Sequence, residues 1–340
     1  MLKRILWSTV VALSLLPLDG LHAQDAVTFK FAHWVPANHP LHSGGWAPWA
    51  KSLDEASGGA IKIQFYPAGQ LGKPADHYDI ARDGIADIGW LNPGFNPGRW
   101  VIASAGTIPL LIKEAKNSSA AFTEWYTRYA AKEMPDVKVC MLHSMHPGTI
   151  FSKKQMRRPE DFKGMKYRAS NTMEALFVRN HGGTLVNVPQ PEIREVLARG
   201  VADGTFNIMH SAIAWGIHKE VKYVLDMTWG SPVYALVINK KKYEGLSGPQ
   251  KKAVDDHCTP DWARKFIGSA ADWEAQGREL LIKAGNVLHK PTDDEMKAWR
   301  GGVTAVKQAW DKEVTAKGHD PVPIYADLIA SLKKYDALME

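Results

Sequence analysis

The stretch from Val27 to Gly94 constrains the fold more than any other part of the chain. Val27-Thr28-Phe29-Lys30-Phe31 places apolar residues at every second position, the mark of a strand with one buried face. Trp46, Trp49, Ala50 and Leu53 then recur at helical steps until Gly58-Gly59 stops them. Ile61, Ile63 and Phe65 alternate again, and Tyr66-Pro67 closes that strand. A helix through Tyr78, Ile80 and Ala81 follows, and ADIGWLNPG reads as another short strand. Strand, helix, strand, helix, strand is the order of a parallel sheet with helices on its faces.

Further along, the signals continue in kind. NPGFNPGRW carries two Asn-Pro-Gly turns, so Asn92 to Arg99 is expected to be a rigid, exposed loop. Asn117-Ser118 starts a helix with Phe122, Trp125, Tyr126 and Tyr129 on one side, and VKVCMLH is a strand. RRPEDFKGMKYR is a short turn, opened by Pro159 and ended by Gly164, leading into a strand that carries Arg168. Pro191 opens a helix with Ile193, Val196 and Leu197 inward, and YALVINKK, beginning at Tyr234, is a strand rich in branched residues. The tail is helical: Trp262, Phe266, Ile267, Ala270 and Trp273 keep helical spacing. Thr292 and Glu295 form a capping box ahead of Trp299, Val303, Val306 and Trp310.

Composition bounds the function. Lys3 and Arg4, the apolar run to Leu18 and the small residue Ala23 together read as an export leader over residues 1–23. A mature chain of about 315 residues is long enough for two lobes rather than one core. With 42 basic and 36 acidic residues well mixed, the surface is mildly basic and carries no stripe for nucleic acid. In an oxidising compartment Cys140 and Cys258 have the option of pairing, but their separation says nothing of geometry. No nucleophile elbow, phosphate loop, dinucleotide fingerprint or zinc-protease motif is present.

The candidate site begins at Arg168. A ligand in α/β lobes belongs at the carboxyl ends of strands, where Arg168, Asn171, Trp90 and the pair His33-Trp34 all fall. The guanidinium is a planar fork that matches a carboxylate with two parallel hydrogen bonds. Asn171 and Asn207 offer amide donors in comparable positions, and Trp34, Trp90, Trp215 and Trp229 lie off the clear helical stripes. Together they describe a pocket for an anionic head and an apolar or aromatic body. A salt bridge within one lobe is the other reading of Arg168. The pairs His39/His42 and His143/His146 have metal-like spacing, but they lie in proline-bearing loops with few acidic partners nearby. An exported enzyme using His33 or His146 as base, or a metal-ion binder built on the histidine pairs, are the competing readings.

In order along the chain, FKFAHWVPANHPLHSGGWAPWAKSLDEASGGAIKIQFYPAGQLG, ARDGIADIGWLNPGFNPGRW, RRPEDFKGMKYRASN, VNVPQPEIREVLARGVADG and PVYALVINKK make the sequence recognisable. It resembles the extracytoplasmic solute-binding proteins of TRAP transporters, the family of C4-dicarboxylate- and sialic-acid-binding proteins. The resemblance implies an α/β, two-lobe periplasmic-binding-protein fold with hinge strands and a long connecting helix. Its lobes would take residues 24–147 with about 235–270, and 148–234 with about 271–340. In the family the arginine after the D-x-K-G-x-K run grips the substrate carboxylate, and here that position is Arg168. The amides match Asn171 and Asn207; Trp215, Trp90, His33, Trp34, Gln190 and Tyr234 complete the expected substrate-binding set. Many members carry a second arginine before an S-K-K segment, which is absent from HPGTIFSKK, and Gln190 stands where an aromatic residue is frequent. These departures suggest a monocarboxylate with a hydrophobic or aromatic body, such as an aryl hydroxy or keto acid. The expected partners are that ligand and membrane-embedded TRAP permease subunits. Catalysis, a cofactor, a bound metal and nucleic acid are not expected.

Overall fold

The structure is a computed structural model that describes residues 26–339; the leader read over residues 1–23 lies outside them. Eleven strands are found among the described residues. They are β1 (Val27–Ala32), β2 (Ile61–Tyr66), β3 (Ile88–Leu91), β4 (Val137–Ser144), β5 (Thr149–Ser152) and β6 (Lys166–Arg168). After them come β7 (Thr184–Val186), β8 (Gly204–Asn207), β9 (Tyr223–Leu225), β10 (Val233–Asn239) and β11 (Val287–His289). One sheet has the order β2-β1-β3-β10-β4 and the other β11-β9-β5-β8-β6-β7, giving two α/β lobes.

The early alternation does produce parallel pairing, of β1 with β2 and with β3. The sheet is nevertheless mixed, because β10 inserts antiparallel between β3 and β4. That strand arrives from far along the chain, so no local pattern announces it. All seven of its residues are buried, which is why Val233–Asn239 reads as a continuous apolar run rather than an alternating one. The chain passes between lobes after β4 and again before β10. The two passages are tied to each other, since Gly148 N–H donates to Gly230 O at 2.7 Å and Trp229 N–H to Gly148 O at 2.9 Å. A side chain at residue 148 would meet the Asn207 carbonyl at 2.7 Å, so glycine is required there for the crossing to lie against β8.

Helix Asp293–Ala316 spans both lobes. Its capping box forms as expected, with the Thr292 hydroxyl on Glu295 N–H and the Glu295 carboxylate on Thr292 N–H. Twenty-four residues at a rise of ~1.5 Å reach about 36 Å. Near one end Trp299 Nε1 donates to Arg157 O, and near the other Trp310 Nε1 donates to Val101 O. Both indoles are fully buried in a core that also contains Phe122, Phe162, Phe177, Phe206 and Trp229.

Three local expectations shift. The Asn92–Arg99 loop is exposed only at residues 97–99, while Asn92 and Pro93 are buried. The helix expected from Asn117 begins at Ala115, because the Glu114 carboxylate accepts from Lys116 N and Asn117 N. The last helix, Pro321–Lys334, packs on Ala115–Tyr126 of the first lobe rather than with the second. Trp125 Nε1 donates to Ile324 O and Ser331 Oγ to Ala121 O, anchoring it there. Cys140 of β4 and Cys258, which follows helix Gly248–Asp256, form a disulfide across 118 residues, deciding a pairing that spacing left open.

Candidate ligand-binding cleft

Between the lobes lies a cleft with a cavity of about 60 Å³. The second lobe brings Arg168, Ser170, Glu174, Gln190, Asn207 and Trp215 to it, and the first brings Trp34, Trp90, Asn92, Phe95 and Tyr234. Arg168 ends β6, in register with Val186 of β7 and Thr205 of β8, so the strand delivers the side chain at its carboxyl end. Arg168 is 2% exposed. Its Nε donates to Val188 O at 3.2 Å and its Nη1 to Ser170 Oγ at 3.1 Å. Among the described residues no carboxylate lies within ion-pair distance of it. Burial lowers its pKa to about 10, against the raising pull of Glu174 and Tyr234, so it keeps its charge at neutral pH. Two amide nitrogens, Nδ2 of Asn207 and Nδ2 of Asn171, are buried without a hydrogen-bond partner, an arrangement folding tolerates poorly unless something else supplies the acceptor.

The first lobe contributes a stacked aromatic wall to the cleft. Trp34 and Trp90 lie with ring centroids 4.7 Å apart and Trp90 and Tyr234 4.4 Å apart, both pairs nearly parallel. Trp90 is fixed by its Nε1–H, which donates to His143 Nε2 at 2.9 Å. That bond requires a neutral imidazole, and burial lowers His143 to about pKa 4, which keeps it neutral. The lobes touch at the cleft's edge, where a Cβ on Gly94 would stand 3.0 Å from Asn171 Cβ.

Seven of the nine expected residues line the cleft: Arg168, Asn207, Trp215, Trp90, Trp34, Gln190 and Tyr234. His33 does not. It is wholly buried among Phe31, Trp46 and Phe65, bonded through Nε2 to His42 Nδ1 at 2.8 Å. Burial, with His42 beside it, lowers its pKa to about 3. Asn171 is not among the lining residues but stands at the cleft's edge: its Oδ1 accepts from Glu174 N–H as the N-cap of helix Thr172–Asn180, while its Nδ2 stays unpartnered. Trp229 belongs to the core beside Phe177 and Trp299. Among the described residues no cluster of three or more metal-ligating side chains forms. Asn92, Phe95, Ser170, Glu174 and Ser211 were missed by sequence reading. Glu174 left a trace, for Asn171-x-x-Glu174 has capping-box spacing. Its carboxylate, however, takes Ser170 N–H and not the cap.

Residues 31–315 match the model of the family described as bacterial extracellular solute-binding protein, family 7 (DctP). The chain belongs to that family. Among curated relatives, the C4-dicarboxylate-binding periplasmic protein DctP of Rhodobacter capsulatus is 22% identical, covering 93% of this chain and 96% of its own. The protein named outer membrane transporter protein TsaT of Comamonas testosteroni is 24% identical, covering 91% and 92%. Among solved structures, a TRAP solute-binding protein of an unidentified marine microbe, specific for aromatic acid ligands and holding metahydroxyphenylacetate, superposes with a TM-score of 0.84. It is 27% identical and covers 91% of this chain and 99% of its own. One from Rhodoferax ferrireducens with copurified benzoate gives 0.85 at 25% identity, covering 92% and 99%. One from Bordetella bronchiseptica with bound (R)- and (S)-mandelate gives 0.83 at 25% identity, covering 91% and 99%. Family 7 proteins bind solutes outside the cytoplasm, and no helix among the described residues is long and apolar enough to cross a membrane.

Proposed function

We propose that this family 7 protein is the periplasmic receptor of a TRAP transporter for aromatic monocarboxylates, and that it hands its ligand unchanged to the membrane permease. One observation carries the reading: a buried guanidinium, without an ion-pair partner among the described residues, faces a cleft whose opposite wall is stacked aromatic rings. A carboxylate supplies the missing partner, and a ring fills the space beside Trp34, Trp90 and Trp215. Asn207 donates from its unpartnered Nδ2 to the same head group. Among the described residues that line the cleft, Arg168 is the only arginine or lysine, which fits one carboxylate better than two. The benzoate, mandelate and metahydroxyphenylacetate found in the relatives have this chemistry.

Capture needs the lobes to move. On this reading residues 24–147 with about 235–270 move against 148–234 and the segment from 271 to about 292. The crossings at Gly148 and Gly230 act as hinge, and helix Asp293–Ala316 bridges the two bodies. A thermal-shift screen of the mature protein against aromatic, aliphatic and dicarboxylic acids tests the assignment. A ligand at about 100 times its Kd adds roughly 2.7 kcal/mol of stability. A clear upward shift with benzoate-like acids is expected, and a flat response to every carboxylate overturns the reading. Recovery of the ligand unchanged after denaturation separates capture from catalysis.

A further inference from the structure

Glu174 stands in the first turn of helix Thr172–Asn180 and, like Arg168, lines the cleft. The two residues are 3% and 2% exposed. Ser170 connects them, its N–H donating to Glu174 Oε2 at 2.6 Å and its Oγ accepting from Arg168 Nη1 at 3.1 Å. They are close enough to act on each other's charge, yet they are not in ion-pair contact. A ligand carboxylate bound to Arg168 therefore brings a second acid to a buried site that holds one cation. Two carboxylates cannot both stay ionised around a single desolvated guanidinium without a large penalty. We propose that Glu174 is a proton-accepting member of the anion site, so that capture of a carboxylate by Arg168 is accompanied by uptake of a proton at Glu174. The proposal rests on the reading of Arg168 as the carboxylate anchor.

Glu174 is the acid suited to take that proton. Burial already raises its pKa to about 7, against the lowering pull of Ser170 N–H and Arg168. The other titratable groups around it behave differently. Tyr234, across the cleft on β10, is pushed upward by burial and stays neutral. His39 lines the cleft but is lowered by burial to about 4 and is neutral above pH 6. Helix Asp293–Ala316 packs on the Glu174 helix farther along, at Phe177 and His181. Glu274 acts on Tyr234 and is itself raised by burial to about 7 while bonded to Ser211, so it is the group that must be distinguished experimentally.

Calorimetry of benzoate binding at pH 8, in two buffers of different ionisation heat, counts the protons. Wild type should take up about one proton, and its Kd should weaken by close to tenfold per pH unit above pH 7. Glu174→Gln should abolish the uptake and flatten the pH profile, whereas Glu274→Gln should retain both. Uptake near zero in the wild type overturns the proposal, as does uptake that survives Glu174→Gln or vanishes only in Glu274→Gln. If benzoate fails to bind at any pH, the aromatic reading is wrong. The same proton count with propionate then decides for Glu174, because the head group alone sets it. A cleft that takes neither acid overturns both ideas.

Discussion

Arg168→Ala removes the charge that the cleft is built around. Breaking a buried charge pair by deleting one partner costs about 3–5 kcal/mol, so benzoate affinity should fall by at least a hundredfold. The ligand-free protein should be no less stable, because the guanidinium is buried without a matching ion pair among the described residues. An affinity that stays within a few-fold of wild type refutes the anchoring role. His143 gives a second test at this scale. Its folded pKa of about 4 lies below the ordinary histidine value of 6.5, so between those values the unfolded chain binds more protons. Wild type should therefore lose stability as pH falls from 6.5 towards 4. His143→Gln cannot take up that proton and still offers Trp90 an acceptor. Its deficit at pH 7.5 should shrink by about 3 kcal/mol over that window, read from urea unfolding at each pH.

Among the elements, strand β6 is short, and Pro159, Phe162 and Gly164 set where it begins. Arg168 was legible in the sequence because a charged residue ends an otherwise strand-like run. Helix Thr172–Asn180 was harder to read, since capping-box spacing does not reveal that Glu174 turns to Ser170 and the cleft. The disulfide joins β4 to the turn before helix Pro260–Glu274 and closes 118 residues of chain. A loop of that length is worth up to about 4.7 kcal/mol in the chain-entropy limit, with 2–4 kcal/mol typical of measured bridges. Reduction, or the pair C140S and C258S, should lower the urea midpoint by the equivalent of about 2–4 kcal/mol. An unchanged midpoint would mean that the bridge adds nothing to the packing around it.

At the scale of the whole molecule the proposed capture requires the lobes to close, so that the aromatic wall meets the head group of the ligand. Gly94 sits at that meeting, where even a Cβ would stand 3.0 Å from both Cα and Cβ of Asn171. Gly94→Val should wedge the cleft, so that ligand no longer reduces the radius of gyration in solution scattering. Affinity should drop about tenfold or more as the closed population falls. Closure and affinity unchanged in Gly94→Val would place the closing surface elsewhere. Periodicity by itself determined the α/β class, strands β1 to β4, β6 and β10, about half of the helices, and the strand end that carries Arg168, because those depend on neighbours within a few residues. Spacing also marked Trp34, Trp90 and Trp215 as exceptions to the helical stripes. Only the tertiary structure decided that His33 is a core histidine, that Asn171 is a helix cap and that Cys140 meets Cys258. It alone placed β10 within the first sheet and Glu174 in the cleft. Each of these depends on segments tens to hundreds of residues apart being brought into contact, and a short stretch of sequence carries no record of what will pack against it.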